Sequence, residues 1–252
     1  CLDKGIDKEK PSLHMVFTGN PGTAKTTVAR LFAEILKDEK VLPTNKILEL
    51  GRADLVGQFV GQTAPLVQAR FRQAKGGVLF IDEAYSLSDG QSNSFGDEAI
   101  NTIVQEMENH RDDVVVIFAG YPKQMQEFLD RNPGMKSRIA FHVHFDDYNP
   151  EQLCEITKVI AENKNLRLTE QALNKLKENY QKVYKDNDFG NGRYVRKMLE
   201  EAEMNLAKRL FDHNELEITE DQICKIDACD IPEEKNKTVA KRTIGLVNSA
   251  LA

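Results

Sequence analysis

The sequence predicts an α/β domain built on a parallel sheet with helices on both faces, followed by a small all-helical domain. Three observations carry this expectation. Short apolar runs alternate with helix-period segments from Leu13 to Phe145, the pattern of strand–helix–strand units. Two of the runs, Val78-Leu79-Phe80-Ile81 and Val114 to Phe118, are apolar at every position, as strands buried on both faces must be. At Asp146 the strand-like runs give way to three helical periodicities.

The elements follow in order. The opening residues to Pro11 are polar and read as a loop or cut linker, and a start at Cys1 reads as that of a fragment. Leu13 to Phe17 is the first strand. A helix runs from Lys25 to about Lys37, with Val28, Leu31, Phe32, Ile35 and Leu36 at i, i+3, i+4, i+7 and i+8, which predicts one buried face. Lys46 to Leu50 is the second strand. Asp54 to Gln62 sets an apolar pair between Gly57 and Gly61, an exposed tip. Thr63 is expected to cap the next helix, with Pro65 in its first turn. Gly76-Gly77 ends that helix. Val78 to Ile81 is the third strand, Ser86 to Gly96 a loop, and Ile100, Ile103, Val104 and Met107 mark a helix. Val114 to Phe118 is the fourth strand, Lys123 to Asp130 a short helix, and Ile139 to Phe145 the last strand. Gly19, Asp82 and Tyr121 all follow strand C-termini, which puts them on the ligand-binding edge of a parallel sheet.

Asn149-Pro150-Glu151-Gln152 is a helix start: a capping Asn, Pro in the first turn, and Gln three residues on. From there to about Leu210 three helices and no strand are expected, with faces Leu153/Ile156/Ile160, Leu173/Leu176/Tyr180 and Val195/Leu199/Ala202/Leu206. Ile218 to Ile226 reads as a short helix or strand. The resulting division is a nucleotide-binding core over 1–146, a helical domain over 147–228 and an unplaced tail over 229–252.

Composition narrows the function classes. The chain has 252 residues, ample for a core, and a net charge of −6 with both signs interspersed. That balance carries no electrostatic footprint for nucleic acid. No apolar run is long enough to span a bilayer, no signal peptide is visible, and a cytoplasmic protein is expected. Cys1, Cys154, Cys224 and Cys229 lack metal-ligand spacing and read as small residues of a reducing compartment. His142 and His144 read as strand or surface residues rather than ligands.

The chemistry centres on Val16-Phe17-Thr18-Gly19-Asn20-Pro21-Gly22-Thr23-Ala24-Lys25-Thr26-Thr27. A strand, a glycine-rich turn and a helix opened by Lys-Thr form a phosphate cradle, because loop N–H groups and the helix N-terminus attract phosphate oxygens. Lys25 can reach the β- and γ-phosphates, and the Thr26 hydroxyl can ligate Mg²⁺. Ala24 stands where the motif has glycine, tolerable if φ is negative there. Downstream, an apolar strand ends in Asp82-Glu83. Asp82 suits Mg²⁺, and Glu83 can orient and polarise an attacking water, which suffices for a reaction that needs mainly positioning and charge neutralisation.

With those residues in place, the chain resembles an AAA+ ATPase module from Leu13 to about Asp227, a P-loop nucleotidase core plus helical lid. Phe17-Thr18-Gly19-Asn20-Pro21-Gly22, Gly76 to Tyr85 and Asn132-Pro133-Gly134 resemble the branch of the stage V sporulation protein K group and the red-type rubisco activases. The resemblance implies ATP and Mg²⁺ as cofactors, with Gly19, Asn20, Pro21, Gly22, Thr23, Ala24, Lys25, Thr26 and Thr27 binding nucleotide. It implies Asp82 and Glu83 as the Walker B pair, Arg138 as an arginine finger (Arg131 the runner-up) and Arg193 as a sensor 2 contact (Arg196 the weaker candidate). Phe59-Val60-Gly61 matches an aromatic pore loop, and Tyr121 falls near the sensor 1 position, where Asn is frequent. Only twelve residues precede Leu13, where such proteins carry a segment that helps hold adenine, so weak ATP binding is expected of this chain.

Three readings follow. The first is a ring-forming ATPase, a homo-hexamer that threads or tugs a protein client, without membrane or nucleic-acid partners. The second is an ATP-dependent assembly switch with little turnover. The third is a DNA-directed ATPase, disfavoured by the acidic balance and by a pore loop without a basic residue. Glu83 and Arg138 favour the first, because a switch needs neither.

Overall fold

The structure, a computed structural model, describes residues 12–88, 95–186, 189–212 and 220–234. The chain divides into two compact units, Cys1–Tyr148 with Asp188–Tyr194, and Asn149–Asn187 with Val195–Ala252.

The first unit holds a five-stranded sheet of β1 (Met15–Gly19), β2 (Ile47–Leu50), β3 (Gly77–Ile81), β4 (Val114–Gly120) and β5 (Phe141–Phe145). All pairings are parallel, in the order β2-β3-β4-β1-β5. Helices α1 (Lys25–Asp38), α2 (Arg52–Leu55), α3 (Thr63–Ala74), α4 (Phe95–Asn109), α5 (Pro122–Arg131) and α6 (Pro133–Lys136) connect the strands. Every residue of β3 and β4 is buried. Alternate side chains feed two cores. Leu79, Ile81, Val116 and Phe118 pack with residues of α3, α4 and α5 on one face. Val78, Phe80, Val115 and Ile117 pack with α1 on the other. Covering both faces is why these strands are continuous apolar runs rather than alternating ones.

Three local expectations are corrected. The buried face of α1 is Ala29, Ala33 and Leu36, while Leu31 and Ile35 are 53% and 55% exposed. Alanines let the helix axis approach the sheet, so the face is set by the smallest residues rather than by the bulkiest periodic set. Thr63 is the first residue of α3, not its cap; Gln62 holds that position without a side-chain bond, and Thr63 Oγ1 instead accepts from Gly57 N–H at 3.1 Å. The helical domain also contains a strand, β6 (Arg167–Leu168), pairing in parallel with β7 (Lys225–Ile226). Short adjustments occur elsewhere: the expected loop from Ser86 opens with a 3-10 turn, Ala84–Leu87.

The second unit packs α7 (Pro150–Asn163), α8 (Glu170–Val183), most of α9 (Gly192–Asp212) and α10 (Glu220–Cys224). Asn149 caps α7 as expected, accepting from Gln152 N–H at 2.9 Å while the Gln152 side chain accepts from Asn149 N–H. Leu153, Leu176, Tyr180, Val195, Leu199 and Leu206 are buried. The Tyr180 hydroxyl and Thr157 Oγ1 share a buried bond of 2.7 Å. Arg209 makes two 2.8 Å bonds to the buried Asp230 carboxylate.

His14 ties the core of the first unit together. Buried, it accepts from Val116 N–H through Nδ1 at 3.0 Å, which leaves Nε2–H to donate to Met107 O at 3.3 Å. Burial holds its pKa below the ordinary value. The unfolded chain therefore takes up a proton near pH 6.5 that the folded chain refuses, so stability falls as pH drops below about 6.5. Urea titrations between pH 7.5 and 5 should show this slope, and His14→Gln should flatten it. Equal slopes for both proteins would contradict the assignment.

Candidate nucleotide-binding site

The sheet order locates the site. The connection from β1 leads through α1 towards β2, and the one from β4 leads the opposite way to β5. The crevice where these connections diverge lies at the C-terminal ends of β1 and β4, the switch point at which open α/β sheets bind ligands. Thr18 is level with Gly120, and Ile81 with Phe118. Gly19, Asp82 and Tyr121 thus leave three neighbouring strands on one edge.

Gly19 to Ala24 fold back over that edge before α1 begins at Lys25. Thr23 is buried, and its Oγ1 donates to Asn20 O at 2.8 Å, closing the turn. Lys25 Nζ donates to Gly19 O at 2.8 Å and to Asn20 O at 2.9 Å. The ammonium is thereby tethered over the loop. Its pKa is lowered by burial first; Asp82, Asp147 and Glu83 counter that, and Arg193 adds to it. Among the predicted residues, Asp82, Glu83 and Arg193 thus act on the Lys25 charge. Thr26 is half-buried in the first turn of α1, Thr27 is exposed, and Asn20, Pro21 and Gly22 are half-buried.

Backbone geometry constrains the loop at two positions. Gly22 has φ +74, and a Cβ there would lie 2.2 Å from Gly190 O, so only glycine fits. Ala24 has φ +66 and ψ +21. The condition under which its methyl would be tolerable, a negative φ, is therefore not met. Alanine occupies this left-handed conformation under strain at the point where the chain turns into α1.

Asp82 and Glu83 are both exposed on the same edge. Glu83 N–H donates to Asp82 Oδ1 at 3.0 Å, and Glu83 itself is left-handed at φ 49. Thr26 and Asp82 supply a hydroxyl and a carboxylate, hard oxygen donors that fit Mg²⁺, which is ordinarily held by one or two carboxylates together with substrate phosphates. Tyr121 precedes α5, half-buried, with its ring 6.1 Å from that of Tyr85. Burial, then Glu83, push the Tyr85 phenol up to about 12.

Other predicted residues lie elsewhere. Arg138 donates from Nε to Glu108 Oε2 at 3.2 Å and from an Nη to Gly134 O at 2.9 Å. Arg131 ends α5, exposed. Phe59 and Val60 are 66% and 88% exposed, and Gly61 has φ +79. Phe59 does not pack in the core. Arg193 is in the first turn of α9, and Arg196 falls in the second unit. Sequence reasoning missed Asp147 and Asn191, which bond to the phosphate loop: Asn20 Nδ2 donates to Asp147 at 2.8 Å, and Asn191 Nδ2 to Pro21 O at 3.3 Å. An Asn between Gly190 and Gly192 was the available signal, since Asn tolerates left-handed backbone.

This fold and loop define a nucleotide-binding α/β protein with a helical lid, the class of the AAA ATPases. Residues 15–146 match the family described as "ATPase family associated with various cellular activities (AAA)", and residues 149–241 match the AAA lid domain. The chain belongs to the AAA ATPase family, in the branch of the red-type rubisco activases and stage V sporulation protein K. It is 43% identical over 228 residues to the CfxQ homolog of Trieres chinensis, covering 90% of this chain and 78% of that protein. It is 42% identical to the chloroplastic ribulose bisphosphate carboxylase/oxygenase activase of Cyanidioschyzon merolae, with the same coverages. Stage V sporulation protein K of Bacillus subtilis is 41% identical, over 82% of this chain and 66% of that one. Among solved structures, the FIGL-1 AAA domain in complex with ADP superposes with a TM-score of 0.61 at 21% identity, over 87% of this chain and 70% of that one, a likeness of fold. Among the described residues no helix is long and apolar enough to cross a membrane.

The strain at Ala24 gives a prediction. Left-handed alanine costs about 1–2 kcal/mol, and a glycine there returns up to about 1 kcal/mol of that through the freer unfolded chain. Ala24→Gly should therefore stabilise the protein by about 0.5–1 kcal/mol in denaturant titration, whereas Gly22→Ala should destabilise it by more. A destabilised Ala24→Gly would contradict the backbone assignment.

Proposed function

We propose that this chain is an Mg²⁺-dependent ATP hydrolase that works as a ring, a homo-hexamer, and remodels a protein client through its Phe59 tip. The observation that carries the proposal is the Lys25 ammonium tethered to Gly19 O and Asn20 O, on the sheet edge where Asp82 and Glu83 follow β3. In this reading the loop's N–H groups and Lys25 take the β- and γ-phosphates. Thr26 and Asp82 would hold Mg²⁺, which when bound neutralises phosphate charge. Glu83 orients the attacking water and draws its proton, and Tyr121 hydrogen-bonds water or phosphate beside it. Arg193 meets the γ-phosphate within the same chain. Arg138 belongs to the neighbour's site, where a cation stabilises charge that develops only during transfer. Its bond to Glu108 is an exposed pair, worth about 0–1 kcal/mol, and so no obstacle to that role.

Phe59, Val60 and Gly61 are read as a client-gripping tip. An exposed aromatic beside an exposed valine grips polypeptide by apolar contact without reading its sequence. A protein as client agrees with the relative named for activating ribulose bisphosphate carboxylase/oxygenase. The same reading has no membrane or nucleic-acid partner and a cytoplasmic location.

Two sets of variants test this. Lys25→Ala should lose ATP binding, whereas Glu83→Gln should bind ATP and hydrolyse it about a hundredfold more slowly or worse. Phosphate release and nucleotide-binding assays on both proteins decide it; wild-type turnover by Glu83→Gln would remove the water-activating role and favour the switch. Phe59→Ala should keep most basal hydrolysis and lose client remodelling, measured as a conformational change in a verified client. Normal remodelling by Phe59→Ala would end the pore-loop assignment.

A further inference from the structure

Asn191 is fully buried and left-handed at φ 47, and its side chain is saturated with bonds. Its Oδ1 accepts from Tyr148 N–H at 2.9 Å. Its Nδ2 donates to Asp147 Oδ1 at 2.7 Å and to Pro21 O at 3.3 Å, with a longer approach to Phe189 O. Asp147 is in turn held by Asn20, whose Nδ2 lies 3.1 and 2.8 Å from its two carboxylate oxygens. Beside this knot, Gly192 N–H donates to Gly22 O at 3.0 Å. A phosphate-loop carbonyl thus satisfies one of the free N–H groups at the start of α9. The backbones meet so closely that a side chain on Gly22 would strike Gly190 O. Every partner belongs to the first unit.

A buried amide that makes this many bonds is costly to assemble and leaves orphaned groups when removed. It lies outside both hydrophobic clusters of the first unit. What it does is fix the register between the phosphate loop, residues 20–23, and the segment 190–193 that ends in Arg193. Arg193 is itself exposed, so its reach to a phosphate depends on where its backbone is pinned. A group misplaced by about 1 Å loses on the order of a hundredfold in rate.

We propose that Asn191 and Asp147 are positioning residues that lock Arg193 to the phosphate loop and so set its distance from the γ-phosphate. This rests on the reading of Arg193 as a nucleotide contact. Both residues act through Arg193, and Asp147 acts by orienting the Asn191 amide and anchoring Asn20.

The test uses Asn191→Gly, which keeps the left-handed backbone and deletes the amide, and Asp147→Ala against Asp147→Asn. Asp147 is exposed, but Asp147→Ala removes an acceptor of the buried Asn191 amide, so thermal denaturation of every variant accompanies the kinetics, and Asp147→Asn is the folded reference that keeps an acceptor. Asn191→Gly and Asp147→Ala should each lower kcat for ATP about tenfold or more, with KM changed by less than about threefold. Asp147→Asn, which keeps an acceptor for both amides, should recover most of the kcat. In an Arg193→Ala background, Asn191→Gly should have no further effect, because both changes remove the same interaction. Wild-type kcat in Asn191→Gly and Asp147→Ala beside an impaired Arg193→Ala would overturn the proposal alone. So would full additivity of Asn191→Gly with Arg193→Ala. Wild-type turnover by Arg193→Ala itself would instead overturn the reading beneath it.

Discussion

The parallel pairing of β1 between β4 and β5 is the constraint on which the rest depends. Parallel neighbours cannot be joined by hairpins, so each connection must cross a face of the sheet. Those crossings cover both faces, which is why β3 and β4 are buried at every residue. They also bring the chain back to the same edge each time. The phosphate loop after β1, the carboxylates after β3 and Tyr121 after β4 are neighbours for that reason and no other. Opposite directions of travel from β1 and β4 open the crevice into which Lys25 reaches.

Within that frame the phosphate loop is held by polar groups rather than by packing. Its carbonyls accept from Lys25, from Thr23 Oγ1, from the Asn191 amide and from Gly192 N–H. These bonds satisfy the loop's carbonyl oxygens and fix its shape. The cost is visible as backbone strain at Ala24 and Glu83, both left-handed without being glycine. Such strain concentrates at functional sites, where the surrounding structure over-determines the conformation. Here the two strained residues flank the same edge, one at the phosphate loop and one at the end of the third strand.

Much of this was legible in the sequence. β3 and β4 declared themselves as uninterrupted apolar runs, and the places of Lys25 at the start of α1 and of Asp82 and Glu83 after β3 were readable too, their chemical roles being those of the proposed function. Asn149 and Gln152 announced a helix start that the structure holds with both reciprocal bonds. The failures have physical causes. Periodicity favoured Leu31 and Ile35 on α1, but contact distance to the sheet selected Ala29 and Ala33. Composition alone says nothing about φ, so the conformation of Ala24 emerged only from the backbone. Two-residue strands such as β6 are too short to leave a pattern. Asp147 and Asn191 lie 44 residues apart and meet only through the fold, so no local signal joins them.

Under the proposed function, the hydrolytic site is complete only when a neighbour supplies Arg138 to a chain whose own Glu83 is intact. Mixing Arg138→Ala chains with Glu83→Gln chains tests it most directly. Each variant alone should be inactive while still binding ATP, because the groups removed act on charge and water during transfer. Mixed together, they should regain partial ATPase activity, since some interfaces then pair an intact Glu83 with a neighbour's intact Arg138. Activity should rise and fall with the mixing ratio, highest near equal amounts. No recovery at any ratio, with assembly of mixed oligomers verified, would contradict the shared site, as would an Arg138→Ala protein that hydrolyses ATP at the wild-type rate by itself.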